Sequence, residues 1–125
     1  MDDNNYQLIF DKISAFLPEE WKTMVYYAIY TSGSYSMKFY YESGNKKYID
    51  CFHCPGAAKV KLVQLFMEID KLLSGSRKTL KNKEVWTVFT MKVDSYGHME
   101  TQYEYDDHTE DMVAYESLWE KKYLV

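Results

Sequence analysis

The sequence predicts an α+β domain: a single antiparallel sheet of about five strands, in the order α-βββ-α-ββ-α, with helices packed on it. Three observations carry this expectation. Two pairs of segments rich in Tyr, Val, Ile and Phe flank short glycine-containing turns, Ser32-Gly33 and Ser95-Tyr96-Gly97, as antiparallel hairpins do. Apolar residues recur at spacings of three and four before, between and after those hairpins, which is the helical period. Runs of antiparallel strands interrupted by helices build α+β domains.

Each element follows in order. Tyr6, Ile9, Phe10, Ile13, Phe16 and Leu17 form one face of a helix that starts near Asn5 and is stopped by Pro18. Strands over 23–31 and 34–42 follow, and pairing Thr31 with Ser34 sets their register. Met24, Tyr26, Ala28 and Tyr30 then share a face with Tyr35, Met37, Phe39 and Tyr41, and that face is wholly apolar or aromatic. Ser43-Gly44-Asn45 turns the chain into a third strand at about 47–52. After Pro55-Gly56, Leu62, Leu65, Phe66, Ile69, Leu72 and Leu73 define a long helix expected to end at Ser74-Gly75. A basic loop carries Arg77, Lys78, Lys81 and Lys83. The second hairpin, 85–94 with 99–106, takes a three-residue loop with positive φ at Gly97. That register sets Val93, Met91, Phe89 and Thr87 opposite Met99, Thr101, Tyr103 and Tyr105, and pairs Lys92 with Glu100 on the other face. Thr109 is placed to cap a last helix with the stripe Met112, Tyr115, Trp119 and Tyr123.

Length and composition bound the function. With 125 residues, 1–125 reads as one domain. With 46% apolar and 18% aromatic residues the chain can bury a core, which argues against disorder. No stretch approaches the ~18 apolar residues of a membrane span. Met1-Asp2-Asp3-Asn4-Asn5 lacks the basic and apolar regions of a secretory signal, so the expected compartment is the cytosol, with no membrane partner. A net charge of −4 disfavours nucleic acid as the direct partner, because phosphate binding needs a concentrated basic surface. That net value is a cancellation. Residues 38–92 carry a charge of +6, whereas 94–120 hold nine acids and no Lys or Arg.

Two places could hold chemistry. Cys51-Phe52-His53-Cys54 has the Cys-x-x-Cys spacing of a thiol redox pair, but it follows an antiparallel meander and lacks the βαβ setting of such sites. As a zinc site it would need further ligands from His98 and His108, which do not form a spaced pair; two reduced, partly buried thiols account for it as well. Asp106, Asp107, His108 and Glu110 could ligate Mg²⁺ or Mn²⁺, yet no basic surface lies beside them to hold phosphate. Part of the run has a structural explanation: Glu110 and Asp111 are expected in the first turn of the last helix, and Glu100 and Glu104 on a solvated strand face. Walker, Rossmann, Gly-x-Ser-x-Gly and His-Glu-x-x-His patterns are absent. The third reading is a binding surface, with carboxylates to neutralise a basic partner and interleaved tyrosines to anchor it. A nuclease has such a basic cleft.

Four segments in order carry a resemblance: Pro18-Glu19-Glu20-Trp21 leading into a Tyr-rich strand, Trp86-Thr87 opening a hairpin with Gly97 at its turn, Tyr103-Glu104-Tyr105-Asp106-Asp107, and the ending with Tyr115, Glu116, Trp119, Lys122, Tyr123 and Leu124. Together they resemble the YezG-like family of bacterial antitoxin and immunity proteins. The resemblance implies a small cytosolic α+β protein, not an enzyme and without a cofactor, that neutralises the toxic C-terminal domain of a secreted or contact-delivered polymorphic toxin, often a nuclease. The family pattern does not say which residues touch the toxin; the charge pattern makes occupation of its basic cleft the expected mode, with Glu100, Glu104, Asp106 and Asp107 as charged contacts and Tyr103 and Tyr105 as anchors. Exosite binding through the basic loop is an alternative mode. A small enzyme, either a thiol oxidoreductase using Cys51 and Cys54 or a metal-dependent hydrolase using residues 106–111, is the alternative function.

Overall fold

A computed structural model describes residues 3–54, 58–81 and 84–124. Helix α1 (Asp3–Ser14) leads into strands β1 (Thr23–Thr31), β2 (Ser34–Glu42) and β3 (Ile49–Asp50), then a 3₁₀ turn over Cys51–His53 and helix α2 (Lys59–Arg77). Strands β4 (Val88–Asp94) and β5 (Met99–Glu104) and helix α3 (Met112–Tyr123) complete the order. All five strands join one antiparallel sheet in the order β3-β2-β1-β4-β5.

The hairpin registers are those the alternation requires. Thr31 pairs with Ser34 and Tyr26 with Phe39, while Val93 pairs with Met99, Phe89 with Tyr103 and Lys92 with Glu100. Gly97 adopts φ +92°, and its N–H donates to the Asp94 carbonyl at 3.0 Å, closing the three-residue loop. A side chain there would be forced into the left-handed region, which β-branched residues avoid.

Because β1 lies at the centre of the sheet, both its faces are buried, and each has its own cover. Met24, Tyr26, Ala28 and Tyr30 pack with Phe39, Phe89 and Met91 beneath Ile9 and Ile13 of α1 and Leu62, Leu65, Ile69 and Leu73 of α2. Val25, Tyr27, Ile29, Tyr40 and Val88 form a second core under Trp119 of α3. The Trp119 ring lies 4.6 Å from the Tyr27 ring, tilted against it, and donates its indole N–H to Thr90 Oγ1 at 2.9 Å.

Six elements differ at a boundary from the sequence expectation, α2 through contacts with residues distant in sequence. Helix α1 ends at Ser14, not at Pro18; Phe16 and Leu17 still reach the core from the turn that follows. Strand β3 has two residues because the Asp50 carboxylate accepts the Phe52 N–H at 2.9 Å and caps a 3₁₀ turn that takes the chain off the sheet. Helix α2 runs through Ser74-Gly75 to Arg77. Ser74 and Tyr30 both donate to the Asp70 carboxylate, at 2.7 and 2.6 Å, and the Arg77 guanidinium lies over the rings of Tyr30 and Trp86. These contacts outweigh the ~1 kcal/mol that a helical glycine costs. Strand β4 begins at Val88 and β5 ends at Glu104, not at 106, so the expected Thr87–Tyr105 pair does not form. The Thr87 N–H and hydroxyl both donate to the carbonyl of Glu104, the residue Val88 faces, and the hydroxyl also reaches the Asp106 carbonyl. Thr109 does not cap α3: its N-cap is Asp111, and Glu110 and Asp111 precede the helix instead of occupying its first turn. Pro55-Gly56 and Lys83 lie outside the described residues.

Candidate interaction surface

The acidic stretch begins on β5, the outer strand beside β4. Its alternate side chains divide between the two faces of the sheet. Met99, Thr101 and Tyr103 lie opposite Val93, Met91 and Phe89 on the face covered by α1 and α2, while Glu100, Gln102 and Glu104 lie on the α3 side.

That division separates the six residues expected to meet a partner. Tyr103 is a packing residue, 5.2 Å from the Phe89 ring and 5.5 Å from Trp86, with its hydroxyl bonded to that of Tyr6 at 2.7 Å. Burial, and then the bond to Tyr6, push its ionisation well above the usual tyrosine range. Glu104 is half-buried and accepts the Tyr115 hydroxyl, so it anchors α3. Glu100 is exposed with Lys92 directly across the ladder, and sits four residues of extended chain, about 13 Å, from Glu104. Tyr105 (55% exposed), Asp106 and Asp107 do come together, on the loop between β5 and α3.

The loop has internal supports that composition could not reveal. Asp107 accepts both the N–H and the hydroxyl of Thr109, which holds its carboxyl below the usual aspartate range. The Thr109 hydroxyl oxygen in turn accepts the Ser32 N–H at 3.1 Å, fastening the loop to the tip of the β1–β2 hairpin. His108 is buried, stacks 3.9 Å from the Tyr115 ring, and hydrogen-bonds through Nδ1 to Asp111 at 2.9 Å. Its Nε2 is buried without a partner among the described residues. Ser32, Asp107, Thr109, Glu110 and Asp111 line a shallow concavity of about 310 Å³. His108 is the residue sequence reasoning missed as an organiser; its position seven residues before Tyr115 does not signal stacking, because the intervening chain is not one helix.

Among the described residues no three His, Cys, Asp or Glu side chains are grouped so that they could hold a metal ion. Asp106 to Asp111 therefore do not form the ligand cluster that a metal-dependent hydrolase would require. Cys51 and Cys54 are unbridged and buried beside α2. Burial pushes the Cys54 thiol up to about 11 and raises that of Cys51 as well. A redox thiol needs the opposite setting, one that favours thiolate near neutral pH. Both thiols should label slowly with an alkylating agent at pH 7. Cys51→Ala with Cys54→Ala should cost about 1–3 kcal/mol of stability, read by denaturant titration, through lost packing.

The basic half of the chain is dispersed. Arg77, the first residue of the expected basic loop, closes α2, donating Nε–H to the Trp86 carbonyl at 3.0 Å while it stacks on Tyr30. Lys78 and Lys81 are exposed. Lys38, Lys46 and Lys47 meet Tyr48, Asp50 and Glu120 around a different concavity of about 480 Å³. No helix of the described residues is long and apolar enough to cross a membrane.

Fold and surface together define a class: a small α+β protein whose concentrated charge lies on an exposed loop and sheet edge. The family model described as "Immunity protein YezG-like" matches residues 3–125. The chain belongs to the YezG-like immunity protein family. Immunity protein YezG of Bacillus subtilis (strain 168) is 29% identical over 128 residues, covering 95% of this chain and 85% of that protein. Immunity protein YezG of Bacillus spizizenii (strain ATCC 23059 / NRRL B-14472 / W23) is 27% identical over 110 residues, covering 82% of this chain and 67% of its own.

Proposed function

We propose that this immunity protein works in the cytosol as a stoichiometric inhibitor. It binds the C-terminal nuclease domain of a polymorphic toxin and fills that domain's basic cleft with carboxylates. The observation that carries the reading is the braced acidic loop. Tyr105, Asp106, Asp107 and Glu110 are exposed on a segment tied down by Thr109, His108 and Thr87. A rigid anionic surface suits a nuclease. Its carboxylates can take the places of phosphates, and little ordering entropy is lost when the complex forms. Inhibition of this kind needs no bond-making and no cofactor. The buried, raised thiols of Cys51 and Cys54 agree with a role other than catalysis.

The test is co-expression with the C-terminal domain of the toxin encoded beside this chain. Growth should be restored, the two chains should co-purify at one to one, and the domain's cleavage of DNA or RNA should fall as this chain is added. A toxin domain that binds this chain but kills without cutting nucleic acid would remove the nuclease from the proposal. The Cys51→Ala, Cys54→Ala variant should restore growth as the parent does; loss of protection by a folded variant would return those thiols to consideration.

A further inference from the structure

Strand β5 has a partner on one side only. The Asp94 N–H donates to the His98 carbonyl at 3.0 Å, so by antiparallel alternation Lys92–Glu100, Thr90–Gln102 and Val88–Glu104 are the pairs that exchange ladder bonds. The main-chain N–H and C=O groups of Met99, Thr101 and Tyr103 therefore point away from β4. Among the described residues, no main-chain hydrogen bond outside the ladder uses them.

Such an edge is a template for another strand, and proteins guard exposed edges with charged side chains, Lys above all, or with Pro, bulges or very short strands. At the opposite edge β3 is short: it has two residues, pairs only with Tyr40 and Tyr41 of β2, and follows Lys46 at φ +59°. β5 runs for six residues, Met-Glu-Thr-Gln-Tyr-Glu, with no Lys or Pro within it, so carboxylates alone guard it and they repel acids but not bases. Its charge is all negative, from Glu100 and Glu104 within the strand on one face and Asp106 and Asp107 just beyond it. A second copy pairing antiparallel would set these carboxylates against their own kind, which costs stability. A strand with Lys or Arg at alternate positions would instead meet opposite charge at Glu100 and Glu104, with the neutral Gln102 between them.

We propose that the toxin domain adds a strand to β5. A basic extended segment bonds to the outward main-chain groups of Met99, Thr101 and Tyr103, and its alternate cations face Glu100 and Glu104. Tyr105, more than half exposed at the end of the strand, covers the junction. Main-chain bonds supply affinity and the alternate charges supply selectivity, the division of labour general to strand addition. The inference rests on the reading that the partner is a basic toxin domain, and it names how that domain is held.

The probe is the toxin domain neutralised in the co-expression test. Thr101→Pro removes an outward N–H and no ladder bond, so the fold should survive, as edge positions tolerate proline. Its affinity for the toxin domain should fall at least 30-fold with an unchanged melting temperature. In the parent chain, the amide protons of Thr101 and Tyr103 should exchange at least tenfold more slowly in the complex than in the free protein. If Thr101→Pro fails to fold, this exchange measurement decides alone. Binding within threefold of the parent, or exchange at these amides unchanged by the toxin, overturns strand addition and leaves the immunity function standing. Slow exchange in the free chain together with a dimeric mass assigns the edge to a second copy and also overturns the proposal. A parent chain that neither binds nor protects overturns the immunity reading, and strand addition with it.

Discussion

Asp106→Lys with Glu110→Lys is expected to abolish protection while leaving the melting temperature within about 2 °C of the parent. Both side chains are exposed, and neither carboxylate bonds to another part of the described structure. Reversing them therefore removes attraction without removing a support. Where such charges become desolvated against a basic cleft, loss of a pair costs about 2–5 kcal/mol, or roughly 30- to several thousand-fold in Kd. Adding a positive charge should push the effect to the upper end. Isothermal titration against the toxin domain gives the magnitude, and stopped-flow association at two salt concentrations separates a steering loss from a contact loss. Unchanged affinity and unchanged protection would take the acidic loop out of the interface. Glu104 is a poorer choice for this experiment because its carboxylate holds the Tyr115 hydroxyl, so its reversal would disturb α3 as well.

The largest effect on stability is expected at Trp119. Its ring covers Tyr27 and Tyr40, and its N–H satisfies Thr90 in the core between the sheet and α3. Trp119→Ala should cost about 3–5 kcal/mol, from lost burial and a cavity that α3 cannot fill by itself. For a chain of this length that means a melting temperature lower by ten degrees or more. Trp119→Phe keeps much of the ring contact and loses the hydrogen bond, so it should cost about 1–2 kcal/mol. Protection should follow stability: an undocked α3 releases Tyr115 from both Glu104 and His108, and the acidic loop loses two of its braces. Thermal and denaturant unfolding followed by circular dichroism checks both values. Equal melting temperatures for Trp119→Ala and the parent would mean that α3 is not docked in solution.

How far the architecture was legible depends on which residues speak locally. In β1 and β2 the Tyr, Val and Ile alternation and the Ser32-Gly33 turn agree on one register, and a slip of one residue would turn Tyr26 and Phe39 out of the core. Loop length at Gly97 was decided the same way, by keeping Lys92 beside Glu100 and Phe89 beside Tyr103. Helix ends were less legible. Ser74-Gly75 reads as a stop, but Asp70 and Arg77 reach residues distant in sequence, and those contacts carry the helix onward. Thr109 reads as a cap, but the Ser32 N–H reaches it first.

The candidate surface divides on the same line. Tyr103 and Tyr105 have the same residue type and the same strand parity, yet β5 ends at Glu104, so Tyr103 packs against Tyr6 and Phe89 while Tyr105 leaves the sheet and is exposed. Glu104 and Asp106 differ in the same way, one held by Tyr115 and the other exposed.

The sequence by itself determined the sheet hairpins, the three helical stripes and the separation of charge into a basic middle and an acidic end, because each is a pattern among near neighbours. Tertiary structure alone decided that helices cover both faces, that β5 is the open edge, and which acids are held and which are exposed. Those properties depend on which distant segments meet, and no local period records that.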